Sequence, residues 1–278
     1  MYTHLYSVSA GDPWWNDDAA LRLGLLRQGS QWLRLGSREL RLDEDAYLIL
    51  NPGQPCTALP GDGKPAQPFG LRATPEWLAE NGFGQTAAAV PFVQSLRPLA
   101  DRVGQRLRSL AQHAEGGASD AGGLDEQLRR LLNEAVEREA ELRRDAERLP
   151  CAKPATRHEL QQRVWLAADF IHSHYDEPLT LARIAAAARL SPFHLQRLFQ
   201  QLFGMTPHAC LQRKRVAVAA RLLAQTAQDL SEIAERAGFG SRGSLYRHLQ
   251  RELGAGGQAL RGRAVLHHKP PNECLTSA

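Results

Sequence analysis

One short pattern occurs twice in the last third of the 278-residue chain. In the first copy Ile184-Ala185 is followed by Leu195, and in the second Ile233-Ala234 is followed by Leu245. The offset between the copies is 49 residues at the Ile-Ala pair and 50 at the leucine, so one residue is inserted between them. An insertion of this kind is tolerated in the turn between two packed helices. The pattern therefore predicts two helix-turn-helix units in one polypeptide.

A helix-turn-helix needs a small residue where its helices cross, a turn residue that tolerates left-handed backbone, and an inward aliphatic residue on the second helix. The second copy supplies Ala234, Gly238 and Leu245 for these roles. The first copy supplies Ala185 but has Arg189 at the turn, where left-handed backbone costs on the order of 1 kcal/mol. A packed domain can absorb that cost.

The second helix of each unit is the one that enters the major groove of DNA in this motif. Ser191 followed by Pro192 predicts the start of the first such helix, and Ser241 is predicted to cap the second. The side chains predicted to face outward on the first helix are Phe193, His194, Gln196, Arg197 and Gln200. Those on the second are Arg242, Gly243, Ser244, Tyr246 and Arg247. Arginine pairs with guanine, glutamine with adenine, and aromatic rings contact thymine methyl groups, so these side chains, Gly243 excepted, are predicted to bind DNA.

For two groups of basic residues the sequence leaves a second role open beside DNA contact. Arg197 and Arg247 occupy the same place in both copies, but either could instead form a salt bridge within its domain. The basic residues of the helix between the copies are candidates for phosphate contact or for simple solvation: Arg213, Lys214, Arg215 and Arg221.

The helix between the copies also sets their separation. It is predicted from Pro207 to about Ala224, and its 18 residues at about 1.5 Å each span roughly 27 Å. One turn of B-DNA is about 34 Å, so both units enter successive grooves only if the duplex bends or one helix engages less fully.

Charge separates the two ends of the chain. Residues 157–278 hold 16 Lys and Arg against 9 Asp and Glu, whereas residues 1–95 hold 7 against 10. A basic region beside an acidic one indicates that only the basic part meets a polyanion such as nucleic acid, although a solvated basic face without a partner is the alternative.

Residues 1–95 carry short strand-like segments separated by Gly and Pro turns, such as Trp32-Leu35 before Gly36 and Ala46-Leu50 before Asn51. These signals predict a small antiparallel β-barrel or sandwich. Residues 96–149 show helical periodicity on either side of a glycine-rich break and predict a helical hairpin. Its apolar stripe either pairs two subunits or packs on the barrel of its own chain.

The remaining boundaries follow from proline and from composition. Two prolines within five residues predict a linker over 150–156, followed by the DNA-binding domain at 157–265. Residues 266–278 are predicted to be a disordered tail.

Several function classes are disfavoured by what the chain contains. Residues 1–150 hold only His4 and His113, far apart, and the four cysteines have no paired spacing, so no metal site or other cofactor is predicted. No nucleophile elbow or phosphate-binding glycine loop stands out, so we predict that the chain is not an enzyme. No apolar run approaches the roughly 20 residues that span a bilayer, and no signal peptide is evident, so a cytoplasmic protein without membrane contact is expected.

Residues from about Thr180 to Arg261 resemble the DNA-binding domain of the AraC/XylS family of transcription regulators. The motifs that carry the resemblance are Leu190-Ser191, Leu198-Phe199, Gly204-Met205-Thr206-Pro207, Leu230-Ser231-Glu232-Ile233-Ala234, Gly238-Phe239 and Ser241. The chain departs from the family pattern with Leu245 and Leu249 in place of Phe, with Gly256-Gly257 before the last helix, and with Gly243. A looser resemblance over Leu48-Pro55 implies a cupin-like, effector-binding N-terminal domain with a small-molecule pocket and a dimerising helical hairpin.

The combined expectation is a two-domain α+β protein: a small antiparallel, cupin-like β-barrel with a helical hairpin, then an all-α domain with two helix-turn-helix motifs. Its expected function is that of a sequence-specific transcription regulator controlled by a small-molecule effector. The alternative is a constitutive dimeric DNA-binding regulator whose barrel is structural. The expected partners are double-stranded promoter DNA, an effector of unknown identity, RNA polymerase if the chain is an activator, and a second copy bound through the N-terminal part.

Overall fold

The chain divides into two compact units, Met1–Glu147 and Arg148–Ala278. The computed structural model describes residues 5–6, 13–16, 19–60, 66–83, 91–115, 121–147, 149 and 154–254. The first unit combines β-strands with a helical hairpin, and the second is helical. The predicted two-domain α+β architecture is confirmed. The predicted tail at 266–278 lies outside the described residues.

Antiparallel strands build two sheets in the first unit. The strands are β1 (Leu5–Tyr6), β2 (Leu21–Gln28), β3 (Ser30–Leu35), β4 (Arg38–Asp43), β5 (Ala46–Leu50), β6 (Cys56–Ala58), β7 (Gln67–Ala73) and β8 (Arg97–Pro98). One sheet has the order β1-β7-β2-β5-β8 and the other the order β4-β3-β6. No ladder joins the two sheets within the described residues, so the predicted barrel is an open sandwich.

Alternation along β2 gives the five-stranded sheet two apolar faces. Leu23 and Leu25 point to one face, whereas Gly24 and Leu26 point to the other. The first face packs against helices, and the second packs against the three-stranded sheet. Both faces are therefore buried, which is why β5 reads as a continuous apolar run.

The helical hairpin covers the outer face of the five-stranded sheet. Helix α1 (Pro75–Glu80) comes first in the chain, and the hairpin itself consists of α2 (Arg102–Glu115) and α3 (Ala121–Ala146). Helical periodicity predicts a start near residue 96, but residues 97 and 98 form β8, and the Leu99 amide donates to the Asp45 carbonyl over 2.9 Å. The helix begins later because a sheet edge takes up these residues first.

The apolar stripe of the hairpin is buried within its own unit. Val103 and Leu107 of α2 and Leu131 of α3 lie in one cluster with the sheet. The solvent side carries ion pairs, among them Arg102 with Glu141 at 2.9 Å. None of the described hairpin residues is an exposed large hydrophobic. These contacts favour packing on the hairpin's own sheet, and dimerisation through this element stays a prediction.

A buried polar network also joins the hairpin to the sheet. Arg97 of β8 and Glu139 of α3 form an ion pair at 2.6 Å, with both side chains almost wholly buried. The Tyr47 hydroxyl donates to Asp101 over 2.9 Å. Burial raises the pKa of Asp101, and burial together with the Asp101 carboxylate raises the pKa of Tyr47. These directional contacts fix how the hairpin sits on the sheet.

The second unit contains six described helices. They are α4 (Pro154–Ser173), α5 (Leu181–Ala187), α6 (Pro192–Phe203), α7 (Pro207–Gln225), α8 (Leu230–Arg236) and α9 (Arg242–Leu253). The predicted linker at 150–156 overlaps α4, which starts three residues earlier than expected because proline is well suited to the first helical position. Helix α4 contacts α5, α6 and α7, and α7 also contacts α8 and α9.

The part of the chain that the structure describes contains neither a candidate membrane-spanning helix nor a candidate metal site. None of its helices combines the length and the apolarity that crossing a membrane requires. None of its groups of His, Cys, Asp and Glu is arranged to hold a metal ion.

Trp14 lies between the two sheets, in a 3-10 turn over Trp14–Asn16. Its ring rests on Gly24 and Gly70, which are direct partners across β2 and β7. A Cβ atom at Gly24 would lie 2.0 Å from Trp14 Cε2, and one at Gly70 would lie 2.2 Å from Trp14 Cγ. Only residues without a side chain leave room for the ring here, and Trp14 is fully buried.

We expect Gly24→Ala to destabilise the first unit by about 1 to 3 kcal/mol, because the new methyl group overpacks against the indole. In a Trp14→Ala background the same substitution meets no ring, so its effect falls below about 0.5 kcal/mol. Urea unfolding of the full chain measures both values. Gly240→Ala serves as a control, since a Cβ there meets open space. Equal effects of Gly24→Ala in both backgrounds would contradict the contact.

Candidate nucleic-acid interface

The first helix-turn-helix comprises α5 and α6. The Ser191 hydroxyl accepts the His194 amide over 3.3 Å and so caps α6, with Pro192 at its first position. Arg189 has a φ of 53°, the only left-handed non-glycine backbone among the described residues. The Leu190 amide donates to the Ala185 carbonyl over 2.9 Å and closes the turn. Arginine thus stands in left-handed backbone at this turn, as its position in the repeat predicted.

The second helix-turn-helix, which comprises α8 and α9, repeats this geometry. The Phe239 amide donates to the Ala234 carbonyl over 2.7 Å, and Gly238 has a φ of 76°. The Ser241 hydroxyl accepts the Ser244 amide over 3.2 Å. The Asp229 side chain caps α8 by accepting the Ser231 amide, and this bond lowers the pKa of Asp229. The equivalent bonds in both copies show that the sequence repeat is a structural repeat.

Helix α6, the first recognition helix, buries one face in the domain and exposes the other to solvent. Its inward residues are Leu195, Leu198, Phe199 and Leu202. Phe193 is 80 % exposed, although it is apolar. Gln196, Arg197 and Gln200 are exposed, and His194 is half-buried. All five predicted side chains therefore reach one solvent-facing surface, His194 least completely.

The second recognition helix is similar but sparser. Leu245 and Leu249 are buried, and Tyr246 is 54 % exposed. Arg242 and Arg247 are exposed, whereas Ser244 is half-buried. A Cβ at Gly243 would meet open space, so the surface has a gap where the first copy has Phe193.

Phe193 and Tyr246 are the two exposed large hydrophobic residues of the described chain. Each is followed in the sequence of its own helix by an exposed arginine, Arg197 or Arg247. Arg197 has no hydrogen bond or ion pair to another described residue, and Arg247 donates only to the Gly243 carbonyl of its own helix, over 3.4 Å. Within the described residues, neither arginine therefore forms the salt bridge that was its alternative role.

Gln250 belongs to the same surface and was missed in the sequence. It is exposed and occupies in α9 the place that Gln200 has in α6. The 50-residue offset of the repeat would have identified it.

The basic residues of α7 do not all face solvent. Lys214 is buried and lies 5.2 Å from the centre of the Tyr175 ring, so it is not a phosphate contact of this conformation. Arg215 is half-buried and donates to the carbonyls of Tyr175 and Glu177, each over 2.7 Å. Burial lowers the pKa of Arg215. These two cations hold the helical domain together rather than project from it.

Arg215 also determines how the second turn packs. A Cβ at Gly238 would lie 2.4 Å from the Tyr175 carbonyl oxygen and 2.9 Å from Arg215 Nε. The turn therefore sits directly on the hydrogen bond that Arg215 makes to Tyr175. Glycine is required here for space as well as for backbone conformation.

His248 is the titratable ring near this surface. Its ring lies 5.3 Å from that of Phe239, and its Nδ1 is 3.1 Å from Arg251 Nη2. Partial burial, and then the charge of Arg251, lower the pKa of His248.

Two helix-turn-helix units that share one connecting helix, with exposed aromatic and arginine side chains on both second helices, define a tandem helix-turn-helix domain of the nucleic-acid-binding class. The family model for a helix-turn-helix domain matches residues 184–263, and the model for an AraC-like ligand binding domain matches residues 6–132. The chain belongs to the AraC/XylS family.

Curated relatives match the C-terminal part. The chain is similar to the "Probable transcriptional regulator LumQ" of Photobacterium leiognathi, with 30 % identity over 89 residues, or 32 % of this chain and 36 % of that protein. It is also similar to the "Regulatory protein ada" of Salmonella typhimurium, with 40 % identity over 79 residues, or 28 % and 22 % of the two chains. The matched segments thus span about a third or less of these relatives' length.

Among solved structures, the DNA-binding domain of AdpA in complex with a target DNA matches 35 % of this chain and 87 % of its own. The identity is 31 % and the TM-score is 0.34.

We expect Gly238→Ala to destabilise the helical unit by more than Gly204→Ala does. Both glycines are left-handed, with a φ of 76° and of 69°, so both substitutions incur a backbone cost on the order of 1 kcal/mol. Only at Gly238 does the new methyl group meet other atoms, which adds about 1 to 3 kcal/mol. Thermal unfolding of the two variants measures the difference, and equal losses would contradict the close approach.

Arg189→Gly is expected to change stability in the opposite direction. Glycine adopts the left-handed backbone of this turn without the steric cost, which raises the free energy of unfolding by about 1 kcal/mol. The greater flexibility of glycine in the unfolded chain offsets part of this gain. The same thermal measurement tests it. Arg183→Gly, in the first turn of α5, is the comparison variant. It is expected to lose stability instead, because glycine disfavours the helix and the ion pair of Arg183 with Glu177 is lost.

Proposed function

We propose that this chain is a sequence-specific transcription regulator that reads promoter DNA with α6 and α9 and responds to a small molecule in its N-terminal domain. One observation carries the DNA-binding part: the exposed large hydrophobic residues of the described chain, Phe193 and Tyr246, lie on the outer faces of the two recognition helices. Exposed aromatic rings beside arginines suit base edges and thymine methyl groups. The names of the relatives, a probable transcriptional regulator and a regulatory protein, support the same reading.

In this proposal Phe193, His194, Gln196, Arg197 and Gln200 form the richer reading surface. Arg242, Ser244, Tyr246 and Arg247 form the second, and Ser191 and Ser241 place capped helix ends next to phosphates. The gap at Gly243 leaves one position of the second half-site unread. The first helix-turn-helix therefore contributes most of the sequence specificity.

The effector part is supported by the match of residues 6–132 to an AraC-like ligand binding domain. A ligand regulates only if it binds one state of the protein better than another. A homodimer and, for an activator, RNA polymerase complete the proposed assembly.

A second candidate is a constitutive regulator whose sandwich is purely structural. The observation in its favour is Trp14, whose ring fills the space between the sheets at Gly24 and Gly70. The two candidates make different predictions for ligand binding by the N-terminal domain.

Arg197→Ala is expected to weaken binding to an operator, selected from a random duplex pool, by about 1 to 3 kcal/mol and to relax the base preference at one position. Arg34→Ala is the matched control, since it removes one exposed arginine from the N-terminal unit. Titration of operator and of random duplex by each variant measures the effect. Equal weakening on both duplexes would remove the base-reading role of Arg197.

The contact of Phe193 is testable by removing a methyl group from the DNA. Replacing each thymine of the operator in turn by deoxyuridine is expected to weaken wild-type binding about fourfold at one position, since one buried methyl group is worth about 0.8 kcal/mol. The Phe193→Ala variant is expected to bind both duplexes equally at that position. If both proteins lose the same amount there, another residue contacts the methyl group.

A further inference from the structure

The turn of the first helix-turn-helix holds an arginine in backbone that favours glycine. Arg189 has a φ of 53°, whereas the residue at the same place in the second copy is Gly238, with a φ of 76°. A side chain in left-handed backbone destabilises the folded state, and glycine would avoid that cost. Backbone outliers of this kind are concentrated where function requires a particular side chain. The arginine side chain itself is therefore expected to have a role.

The contacts of Arg189 within the described residues give its side chain no structural role. The side chain is exposed, and its guanidinium has neither a hydrogen bond nor an ion pair with another described residue. Its backbone carbonyl accepts a hydrogen bond from Arg163 Nη1 over 3.0 Å, but any residue at this position presents the same carbonyl. All five N–H donors of the Arg189 guanidinium thus point to an acceptor outside the described chain.

Positive charge surrounds this turn. Arg163 of α4 reaches the Arg189 carbonyl through Nη1, and its Nη2 donates to Glu159 over 2.5 Å. Helix α6 begins just after Ser191, and the N-terminus of a helix carries a partial positive charge. Glu159 offsets the charge of Arg163, whereas no acidic side chain of the described residues pairs with Arg189. The turn therefore presents one uncompensated guanidinium beside the positive end of α6.

The place of the turn within a helix-turn-helix determines which anion it meets. In this motif the first helix crosses the DNA backbone, and the N-terminal residues of the second helix contact base edges in the major groove. The turn joins these two parts, so it lies at the rim of the groove, where the phosphates are. Arg189 lies two residues before the cap Ser191, which is at most about 7 Å of extended chain. A phosphate of the same half-site is therefore within reach of its guanidinium.

The turn of the second helix-turn-helix is unable to make the same contact. A Cβ at Gly238 would lie 2.4 Å from the Tyr175 carbonyl oxygen, so this position has no room for a side chain. The contact is thereby confined to the first helix-turn-helix, which also has the richer reading surface in the proposed function.

We propose that Arg189 binds a phosphate of the DNA backbone at the rim of the first half-site. The arginine makes the isolated turn less stable than glycine would, and it forms a charge-assisted hydrogen bond once DNA is bound. Such a contact adds affinity without reading the bases, and it fixes the position of α6 in its groove. This inference rests on the DNA-binding part of the proposed function.

Three substitutions separate the charge of Arg189 from its backbone. Arg189→Gln removes the charge and keeps a side chain in left-handed backbone, Arg189→Lys keeps both, and Arg189→Gly removes both. One lost phosphate contact reduces the slope of log affinity against log salt by about 0.9. Arg189→Gln and Arg189→Gly are therefore expected to bind operator and random duplex about eightfold more weakly than the wild type at about 0.1 M salt, and equally well near about 1 M. Arg189→Lys is expected to keep the wild-type slope.

Titrations of labelled duplex with the full chain, followed by fluorescence anisotropy at several salt concentrations, measure these slopes. Arg34→Gln is the charge control, since it removes one exposed arginine from the N-terminal unit, and it is expected to leave the slope unchanged. Arg189→Gly is expected to be more stable to heat than the wild type, so weaker DNA binding by this variant is not a loss of fold. An unchanged slope in Arg189→Gln, or an equally reduced slope in Arg189→Lys, would overturn the proposal.

Methylphosphonate substitution locates the phosphate. Each phosphate of the operator is replaced in turn by this uncharged analogue. At one position, in the half-site where Phe193→Ala changes the response to deoxyuridine, the wild type is expected to lose about eightfold in affinity at about 0.1 M salt, whereas Arg189→Gln loses nothing. Equal losses in both proteins at every position would rule out the contact.

The same titrations distinguish this inference from the function on which it rests. A wild-type chain that binds operator and random duplex with equal affinity would contradict sequence-specific recognition. A wild-type chain that selects its operator, together with an Arg189→Gln variant of the same affinity and slope, would contradict only the phosphate contact.

Discussion

The geometry of the DNA-facing domain depends on the hydrogen bond from Arg215 to the Tyr175 carbonyl. This bond fastens the end of α4 to α7, and the turn at Gly238 packs directly upon it. Because α7 also contacts α6 and α9, the orientation of the second recognition helix is fixed by the same residues that close the first half of the domain. A bulkier residue at Gly238 would push α8 and α9 away from this contact.

The two helix-turn-helix units accommodate the left-handed residue of their turns in different ways. Arg189 tolerates left-handed backbone because its side chain is exposed, and its carbonyl accepts a hydrogen bond from Arg163 over 3.0 Å. Gly238 has no such freedom, since its Cα faces the Tyr175 carbonyl. The difference explains why one copy keeps the usual glycine and the other does not.

Local features of this chain could be predicted from the sequence, whereas long-range ones could not. The β3–β4 hairpin at Gly36, the serine caps and the left-handed Arg189 each depend on a few neighbouring residues. Lys214 reads as a surface cation because nothing nearby in the chain indicates that Tyr175 lies over it. The late start of α2 likewise depends on Asp45, more than 50 residues away, which draws Leu99 into the sheet edge. The contact between Trp14 and the paired glycines depends on strand register in the same way.

The five-stranded sheet connects the Trp14 contact to the helical hairpin through the alternation of its strands. On β2, Gly24 packs against Trp14 while Leu23 and Leu25 lie in the cluster shared with the hairpin. On β5, Tyr47 lies in that cluster too, and its hydroxyl donates to Asp101 in the network that holds the hairpin. A change of packing between the two sheets therefore reaches the hairpin only by moving these strands, because the same strands carry both faces of the sheet.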